Sequence, residues 1–148
     1  MTRLAPDTRD AYRFHLALPT RWNDNDVYGH VNNAVYYEYF DTVVNRWLIE
    51  HGLLALGESA VIGLVVETGC NYFAPLAFPE TVTAGLRVAR VGTSSVTYEI
   101  GLFGEGAGET AARGYFTHVY VDEKTRRPVP VSDRMRETLK NIQGEARP

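Results

Sequence analysis

Between Trp22 and Asp41 the chain reads WNDNDVYGHVNNAVYYEYFD, and its character changes half-way along. The first half is polar and turn-prone, with two aspartates, a glycine, a histidine and several asparagines. From about Asn33 apolar residues recur at helical spacing, and Gly52 follows as a C-cap. A helix that is apolar over so much of its surface is usually enclosed by other elements. Its core-facing positions are Tyr36, Phe40, Val43, Val44, Trp47 and Leu48.

Strand patterns lie on both sides of this helix in the sequence. The predicted strands are 12–18, 61–72, 81–91, 96–102 and 111–121, and each alternates in polarity or is rich in β-branched residues. In the first of them Tyr12 is predicted to lie on the same side as Phe14, Leu16 and Leu18. Ser132 is a suitable N-cap for a short final helix that runs to about Ile142.

The order of these elements predicts the architecture. Successive hairpins, one with its tip at Gly92 and Thr93, indicate an antiparallel sheet, and curling that sheet around the helix buries the helix most simply. We therefore expect an α+β fold in a single domain over residues 1–148. One sheet and one helix leave much apolar surface uncovered, which predicts a homodimer or larger assembly.

Composition narrows the class of protein. The chain of 148 residues has a formal net charge of −3, which argues against nucleic acid as a partner because phosphate binding needs a basic surface. It has one cysteine, Cys70, so an intrachain disulfide is excluded. Residues 1–10 lack a secretory pattern, and no apolar run approaches the roughly 20 residues that span a bilayer. We expect a cytoplasmic protein without membrane insertion.

The polar half of the opening stretch contains the groups that acyl transfer needs. Free backbone N–H groups at a helix start can bind an oxyanion, and a nearby carboxylate can orient water or attack a carbonyl carbon. The same residue types are also typical of an ordinary turn that caps a helix. Residue types alone leave both interpretations open.

A motif distinguishes between them. The pattern Asp-x-Asp-x-x-Gly-His-Val-Asn-Asn, then an apolar pair, a tyrosine and an aromatic-rich helix, occupies Asp24 to Tyr36 in register. It resembles the signature of the hotdog-fold thioesterases, and most closely the 4-hydroxybenzoyl-CoA thioesterase-like enzymes, which include bacterial long-chain acyl-CoA thioesterases. The order of predicted strands agrees with that family through Val121.

The resemblance implies a reaction and a set of site residues. It implies hydrolysis of acyl-CoA thioesters without a cofactor, with Asp26 as general base or as nucleophile. It also implies an oxyanion donor among the backbone N–H groups from Tyr28 to Asn32, and a site at the interface of a homodimer or homotetramer. The candidate catalytic residues are Asp26, Gly29, His30 and Glu67, the last on the strand where some relatives carry a carboxylate.

Other polar residues are candidates for binding substrate or for purely structural roles. Asp24 is expected to be a solvated turn residue. Arg90 with Ser94 and Ser95, near the predicted hairpin tip, is the combination expected to bind the phosphates of coenzyme A. The candidate substrate-binding residues are Tyr28, Asn32, Asn33, Tyr36, Arg90, Ser94 and Ser95.

Metal and alternative nucleophile chemistry find no support in the sequence. The segment from Asp24 opens like a calcium loop, but its twelfth position is Val35 where a bidentate glutamate is required. The four histidines are too scattered for a zinc site, and Cys70 in a strand is expected to be a packing residue.

Two other functions compete with hydrolysis. A non-catalytic module that binds acyl-CoA or lipid is compatible with the same scaffold, because a fold does not determine a function. The Asp/His pattern of hotdog hydratases is not found. The acyl group and the choice between coenzyme A and an acyl carrier protein stay open.

Overall fold

The computed structural model describes residues 4–55, 57 and 59–144 of the chain. The expectations for residues 1–10 and for the domain bounds 1–148 therefore fall partly outside the described residues. The strands are β1 (Phe14–Pro19), β2 (Val61–Tyr72), β3 (Thr81–Val91), β4 (Ser95–Phe103) and β5 (Ala112–Asp122), and the helices are α1 (Val35–Glu50) and α2 (Asp133–Leu139). Short 3₁₀ helices lie at Arg9–Ala11, Trp22–Asp24 and Lys140–Ile142.

The five strands in the described part of the chain form one antiparallel sheet in the order β1-β3-β4-β5-β2. Helix α1 packs against one face of it, so the sheet curls around the helix as predicted. The α+β hotdog architecture, with a short helix at the C-terminal end, is thereby confirmed. Ser132 caps α2 by accepting a hydrogen bond from the Met135 N–H at 3.2 Å.

The core lies between α1 and the concave face of the sheet. Alternate residues of the central strands point inward and are completely buried, which is the period that a half-buried strand requires. Burial of each such aliphatic or aromatic side chain contributes roughly 1.5–3 kcal/mol. The inward residues of β3 and β4 are Val82, Ala84, Leu86, Val88, Val96, Tyr98, Ile100 and Leu102, and those of α1 include Phe40, Val43, Val44 and Trp47.

The first strand corrects one prediction. Tyr12 does not share a face with Phe14, because β1 begins only at Phe14 and the chain bends before it. The Tyr12 ring instead lies on the convex face, over the paired glycines Gly85 and Gly101. A Cβ atom on Gly85 would be 2.7 Å from Tyr12 Cγ, and one on Gly101 would be 2.5 Å from Tyr12 Cζ. Both positions therefore require glycine while the ring lies there.

A charge network holds the N-terminal segment to the same convex face. The Asp7 carboxylate accepts from Arg87 Nη2 at 3.2 Å and from Arg113 Nε at 2.9 Å, and both arginines are buried. Tyr12 Oη donates to Asp7 at 2.8 Å, and Arg87 Nε donates to Glu99 at 2.9 Å. Each buried guanidinium thus has a carboxylate partner, as burial of charge requires.

The helices of the described chain do not meet the requirements of a membrane span. None of them combines the length and apolar character that a membrane-crossing helix needs.

Candidate active site

The loop between β1 and α1 folds back on itself as a miniature hairpin. Asp26 N–H donates to the His30 carbonyl at 2.9 Å, and Asn32 N–H donates to the Asp24 carbonyl at 2.8 Å. Gly29 closes the turn, since its N–H donates to the Asp26 carbonyl at 3.0 Å and its φ is 83°. That left-handed backbone conformation favours glycine over other residues. The turn leaves Val27 and Tyr28 95% and 83% exposed.

Two hydrogen bonds and one ring contact attach this loop to the connection between β2 and β3. Asn25 Oδ1 accepts a hydrogen bond from Phe78 N–H at 2.9 Å, and Val31 N–H donates to the Leu76 carbonyl at 2.7 Å. The Trp22 ring packs edge-to-face on Phe78 with 5.9 Å between the centroids. The loop is therefore held at both ends while its tip stays open.

Asp26 lies in this loop with a partly exposed carboxylate. Its Oδ1 accepts a hydrogen bond from Tyr28 N–H at 2.9 Å, and its Oδ2 is 3.4 Å from the donor Asn32 Nδ2. Beside it is an open groove of about 930 Å³. The groove is lined by Trp22, Asn25, Asp26, Val27, Tyr28, Gly29, Asn32, Phe78 and Pro79.

Part of the groove wall was not predicted from the sequence. Trp22 precedes the motif, which starts at Asp24. Phe78 and Pro79 belong to the connection between β2 and β3, about fifty residues further along the chain. The contacts of Phe78 with Asn25 and Trp22 bring these two segments together, and no local sequence pattern indicates them.

Asn32 links the carboxylate to the helix start. Its Oδ1 accepts a hydrogen bond from Ala34 N–H at 2.9 Å, while its amide group faces Asp26. The Asn32 carbonyl also accepts from Val35 N–H, and α1 begins at Val35, close to the start at about Asn33 that the periodicity predicts. The Asn33 carbonyl accepts from Tyr72 Oη at 2.7 Å, which attaches the same segment to the end of β2.

The backbone N–H groups from Tyr28 to Asn32 differ in their availability. Those of Tyr28, Gly29, Val31 and Asn32 all donate within the described chain. The His30 N–H makes no hydrogen bond to any described residue, and His30 itself is exposed. Of these five N–H groups, that of His30 is therefore the one without an acceptor among the described residues. It is available to donate to a bound oxyanion.

Asp24 is not the solvated turn residue that the sequence predicts. It is 1% exposed, and its carboxylate accepts from Tyr39 Oη at 2.7 Å and from Arg21 N–H at 2.9 Å, with Arg21 Nε at 3.0 Å. Burial alone would raise the pKa of Asp24, but the hydrogen bonds from Tyr39 and Arg21 outweigh it and the pKa is lowered. Asp24 therefore acts as a buried anionic anchor of the loop.

Tyr36, a predicted substrate contact, is a core residue in this chain. It is 3% exposed, and its ring lies 4.9 Å from that of Tyr72 and 6.3 Å from that of Tyr39. Burial raises the pKa of Tyr36.

The remaining candidates lie away from the loop within one chain. Glu67 pairs with Thr117 on the sheet face opposite α1, and it accepts a hydrogen bond from Tyr115 Oη at 3.4 Å. Arg90, Ser94 and Ser95 lie at the far end of β3, since Thr81 at its near end pairs with Pro19 before the loop. A strand of that length rises about 33 Å. One chain alone does not bring these residues to Asp26.

The structure also shows the surroundings of Cys70 and of the acidic and histidine side chains in the described residues. Among residues 4–55, 57 and 59–144, no group of three or more His, Cys, Asp or Glu is placed to hold a metal ion. Cys70 is half-buried in β2, packs against the core and has its pKa raised to about 11 by burial. Its contact with the core agrees with the packing role that the sequence predicts for it.

The fold and this loop have counterparts among known proteins. Residues 20–139 match the thioesterase-like superfamily. The chain belongs to that superfamily. The resemblance found in the motif from Asp24 to Tyr36 is thereby confirmed, and the match covers the loop, α1, strands β2 to β5 and the whole of α2.

Individual proteins also resemble this chain over most of its length. The crystal structure of the PA5185 protein from Pseudomonas aeruginosa strain PAO1 is 49% identical, with a TM-score of 0.92, and the match covers 97% of this chain and 100% of that one. A thioesterase from Thermus thermophilus, crystallised with coenzyme A and zinc, is 26% identical, with a TM-score of 0.78 and coverage of 92% and 98%. The uncharacterized protein YsmA of Bacillus subtilis (strain 168) is 24% identical over 132 residues, 88% of each chain. Membership in this superfamily supports thioester hydrolysis as the general class of reaction.

Proposed function

We propose that this protein hydrolyses acyl-CoA thioesters to the free acid and coenzyme A, with Asp26 as the catalytic carboxylate. The observation that carries the proposal is the state of Asp26: two hydrogen bonds orient its carboxylate, and it remains open to a groove of about 930 Å³. The Thermus relative, whose crystal structure contains coenzyme A, supports a coenzyme A thioester as the substrate.

Asp26 can act by either of two routes. As a general base it accepts a proton from water, and the water oxygen attacks the thioester carbonyl carbon. As a nucleophile its oxygen attacks that carbon directly, the C–S bond breaks, and coenzyme A leaves as a thiolate that takes up a proton. Water then hydrolyses the mixed anhydride to the free acid and restores the carboxylate. The hydrogen bond from Tyr28 N–H fixes Oδ1 in both routes, whereas Oδ2 has only the longer contact with Asn32. Neither route needs a cofactor.

The thioester carbonyl oxygen needs a hydrogen-bond donor as negative charge develops on it. We assign that role to the backbone N–H of His30, because the N–H of Gly29 already donates to the Asp26 carbonyl. Gly29 then has a conformational role, since its positive φ forms the turn that directs the next peptide outward.

A second copy of the chain is a further part of the proposal. Strand β2 is an edge strand of twelve residues with large exposed apolar side chains. A long apolar edge of this kind is prone to pair with another strand. These exposed side chains are Val61, Leu64, Val65, Val66 and Tyr72.

Antiparallel pairing of two β2 strands would also complete the site. The end of β2 at Tyr72 contacts Asn33 beside the Asp26 loop, whereas the end at Val61 lies near the β3–β4 hairpin, where Ser94 accepts from Tyr120 N–H. In such a dimer the hairpin of one copy lies at the same end as the Asp26 loop of the other. Arg90, Ser94 and Ser95 remain predicted phosphate contacts on that basis.

The dimer is tested by a charge on the edge strand. Val66→Lys adds a charge at a 59% exposed position next to the bulge of β2, where it blocks pairing at little cost to the core. We expect light scattering to give the mass of a dimer or tetramer for the wild type and of a monomer for the variant. An unchanged mass would exclude β2 as the interface.

The reaction is tested by release of free thiol from short, medium, long and aromatic acyl-CoA substrates. We expect turnover of at least one class by the wild-type protein. Tight binding of an acyl-CoA without release of thiol would instead favour the non-catalytic acyl-CoA or lipid-binding module. The panel also identifies the acyl group, which the groove alone does not specify.

A further inference from the structure

The groove beside Asp26 has apolar side chains that the proposed chemistry does not use. Trp22 is 78% exposed, although its ring packs edge-to-face on that of Phe78. Contiguous exposed apolar surface in a soluble protein marks a site of binding. These apolar side chains line the same groove as the Asp26 carboxylate. We call them the apolar wall, and its members are Trp22, Val27, Tyr28, Phe78 and Pro79.

Hydrogen bonds of the backbone fix the aromatic pair of the apolar wall relative to Asp26. Trp22 begins the 3₁₀ helix Trp22–Asp24, whose last residue is the buried anchor of the loop. Phe78 N–H donates to Asn25 Oδ1 at 2.9 Å, so the connection that carries the second ring is attached next to the catalytic position. A wall that is formed in advance needs little ordering when a ligand binds.

The charge of the groove indicates which part of an acyl-CoA it suits. Asp26 is the one charged side chain among the described residues that line it, and none of them is lysine or arginine. The phosphates of coenzyme A are anions, which proteins bind with cationic side chains or with free backbone N–H groups. The groove therefore suits an uncharged, apolar part of the substrate and not the nucleotide end.

An acyl-CoA extends in two directions from its reacting carbon, which must lie at Asp26. One arm is the acyl group, and the other is the pantetheine arm that leads to the phosphates. In the dimer proposed above, the hairpin with the predicted phosphate contacts Arg90, Ser94 and Ser95 of the second copy lies at the same end as the loop. The acyl group is then the arm that remains for the apolar wall.

We propose that the acyl group of the substrate packs against Trp22 and Phe78, and that it is an apolar group larger than acetyl. The groove of about 930 Å³ is near the upper end of the roughly 300–1,000 Å³ of ligand pockets, so it has room for such a group. Trp22 is thus a residue that determines specificity. This inference rests on the acyl-CoA ligand of the proposed function and adds the place of its acyl group.

Trp22 itself reports whether the apolar wall is occupied. The chain has two tryptophans, and the other one, Trp47, is 1% exposed, so acrylamide quenches mainly the fluorescence of Trp22. The probes are S-decyl-CoA and S-methyl-CoA, thioethers that differ only in the alkyl group and are not hydrolysed. We expect S-decyl-CoA to cause a saturable loss of quenching and S-methyl-CoA to cause none. Trp22→Phe should abolish the response.

The variant Trp22→Ala tests the effect of the wall on turnover. We expect kcat/KM for the bulkiest acyl-CoA that the wild type hydrolyses to fall roughly ten- to a hundredfold, because a large apolar contact is lost. The value for the smallest acyl-CoA substrate should stay nearly unchanged. Ile49→Ala removes another exposed apolar side chain, on α1, and is the matched control that should change neither value.

The outcomes separate this inference from the proposed reaction. Equal protection of Trp22 by the two thioethers, or an equal loss of kcat/KM for the two substrates, would overturn the inference. Release of thiol without protection of Trp22 would overturn it and leave hydrolysis standing, whereas protection without release of thiol from any acyl-CoA would refute hydrolysis alone. Light scattering should give Trp22→Ala the mass of the wild type. A smaller mass would mean that a second copy covers the wall, and would also overturn the inference.

Discussion

Asp24 and Asp26 are two residues apart in one loop, and their surroundings are opposite. The Asp24 carboxylate is 1% exposed and accepts hydrogen bonds from Tyr39 Oη and from Arg21. The Asp26 carboxylate faces a groove and has one short hydrogen bond, from Tyr28 N–H, and one long contact, with Asn32. A carboxylate with its lone pairs satisfied stabilises the fold, whereas one with free lone pairs can accept a proton or attack a carbon.

The two aspartates depend on each other through the backbone. The Asp24 carbonyl accepts from Asn32 N–H, and the Asn32 side chain contacts Asp26. The buried carboxylate therefore fixes the segment that orients the exposed one. Substitution of each residue in turn should separate stability from activity.

The largest effect is expected from Asp26→Asn. The amide keeps an oxygen for Tyr28 N–H but is neither a base nor a nucleophile, so kcat/KM for the best acyl-CoA substrate should fall by roughly 10²–10⁴. The free energy of unfolding should change by no more than about 0.5 kcal/mol, because the side chain is partly exposed. Thiol release and urea unfolding measure the two quantities. Asp133→Asn, an exposed aspartate at the start of α2, is the control. Full activity in Asp26→Asn would refute the catalytic role.

Asp24→Asn should show the reverse pattern. The variant loses the charge that strengthens the hydrogen bonds from Tyr39 and Arg21, so the free energy of unfolding should fall by about 2 kcal/mol. The loss in kcat/KM should be smaller than for Asp26→Asn, since the reacting group is intact. Urea unfolding of the two variants in parallel checks the contrast. If the fall in kcat/KM, expressed as a free energy, exceeded the fall in the free energy of unfolding, Asp24 would take part in the chemistry itself.

We expect the smallest effect to be a change in the free energy of unfolding at acid pH. Because the pKa of Asp24 is lowered in the folded state, its contribution to stability is complete above the ordinary pKa of about 3.9 and is lost as the pH falls through the folded value. We therefore expect the difference in unfolding free energy between the wild type and Asp24→Asn to be constant from pH 5 to pH 7 and to narrow below about pH 4. Urea titrations at several pH values measure it. A difference that stays constant down to about pH 2 would mean that the folded pKa is not lowered.

Much of the fold could be predicted because the sequence is strongly periodic. The bounds of β2 and β3 agree with the prediction, and the long apolar helix is enclosed as expected. The predicted face of Tyr12 is wrong because Tyr12 fits the alternating pattern of β1 although it precedes the strand. Alternation alone does not reveal where a strand begins. The burial of Asp24 was missed for a related reason: its partner Tyr39 lies in the following helix, and nothing in local composition pairs the two.

Sequence alone could place the residues of the candidate site beside one another only where they are close along the chain. Asp26, Gly29, His30 and Asn32 are close in sequence, and the structure brings them together in one loop. Phe78 enters the groove from a distant connection, and Arg90 lies at the other end of the sheet. Whether such residues meet depends on strand pairing, and for Arg90 it depends also on the dimer proposed above.

Tyr12 and the glycine pair beneath its ring have a consequence for the history of this sequence. A methyl group at Gly85 or Gly101 would occupy the space of the ring, and loss of the ring would leave an uncovered trough between two strands. Single replacements at any of the three positions should therefore be rare among relatives of this chain. Lineages that lose Tyr12 should be free to acquire side chains at both glycines, so the three positions should vary together across an alignment.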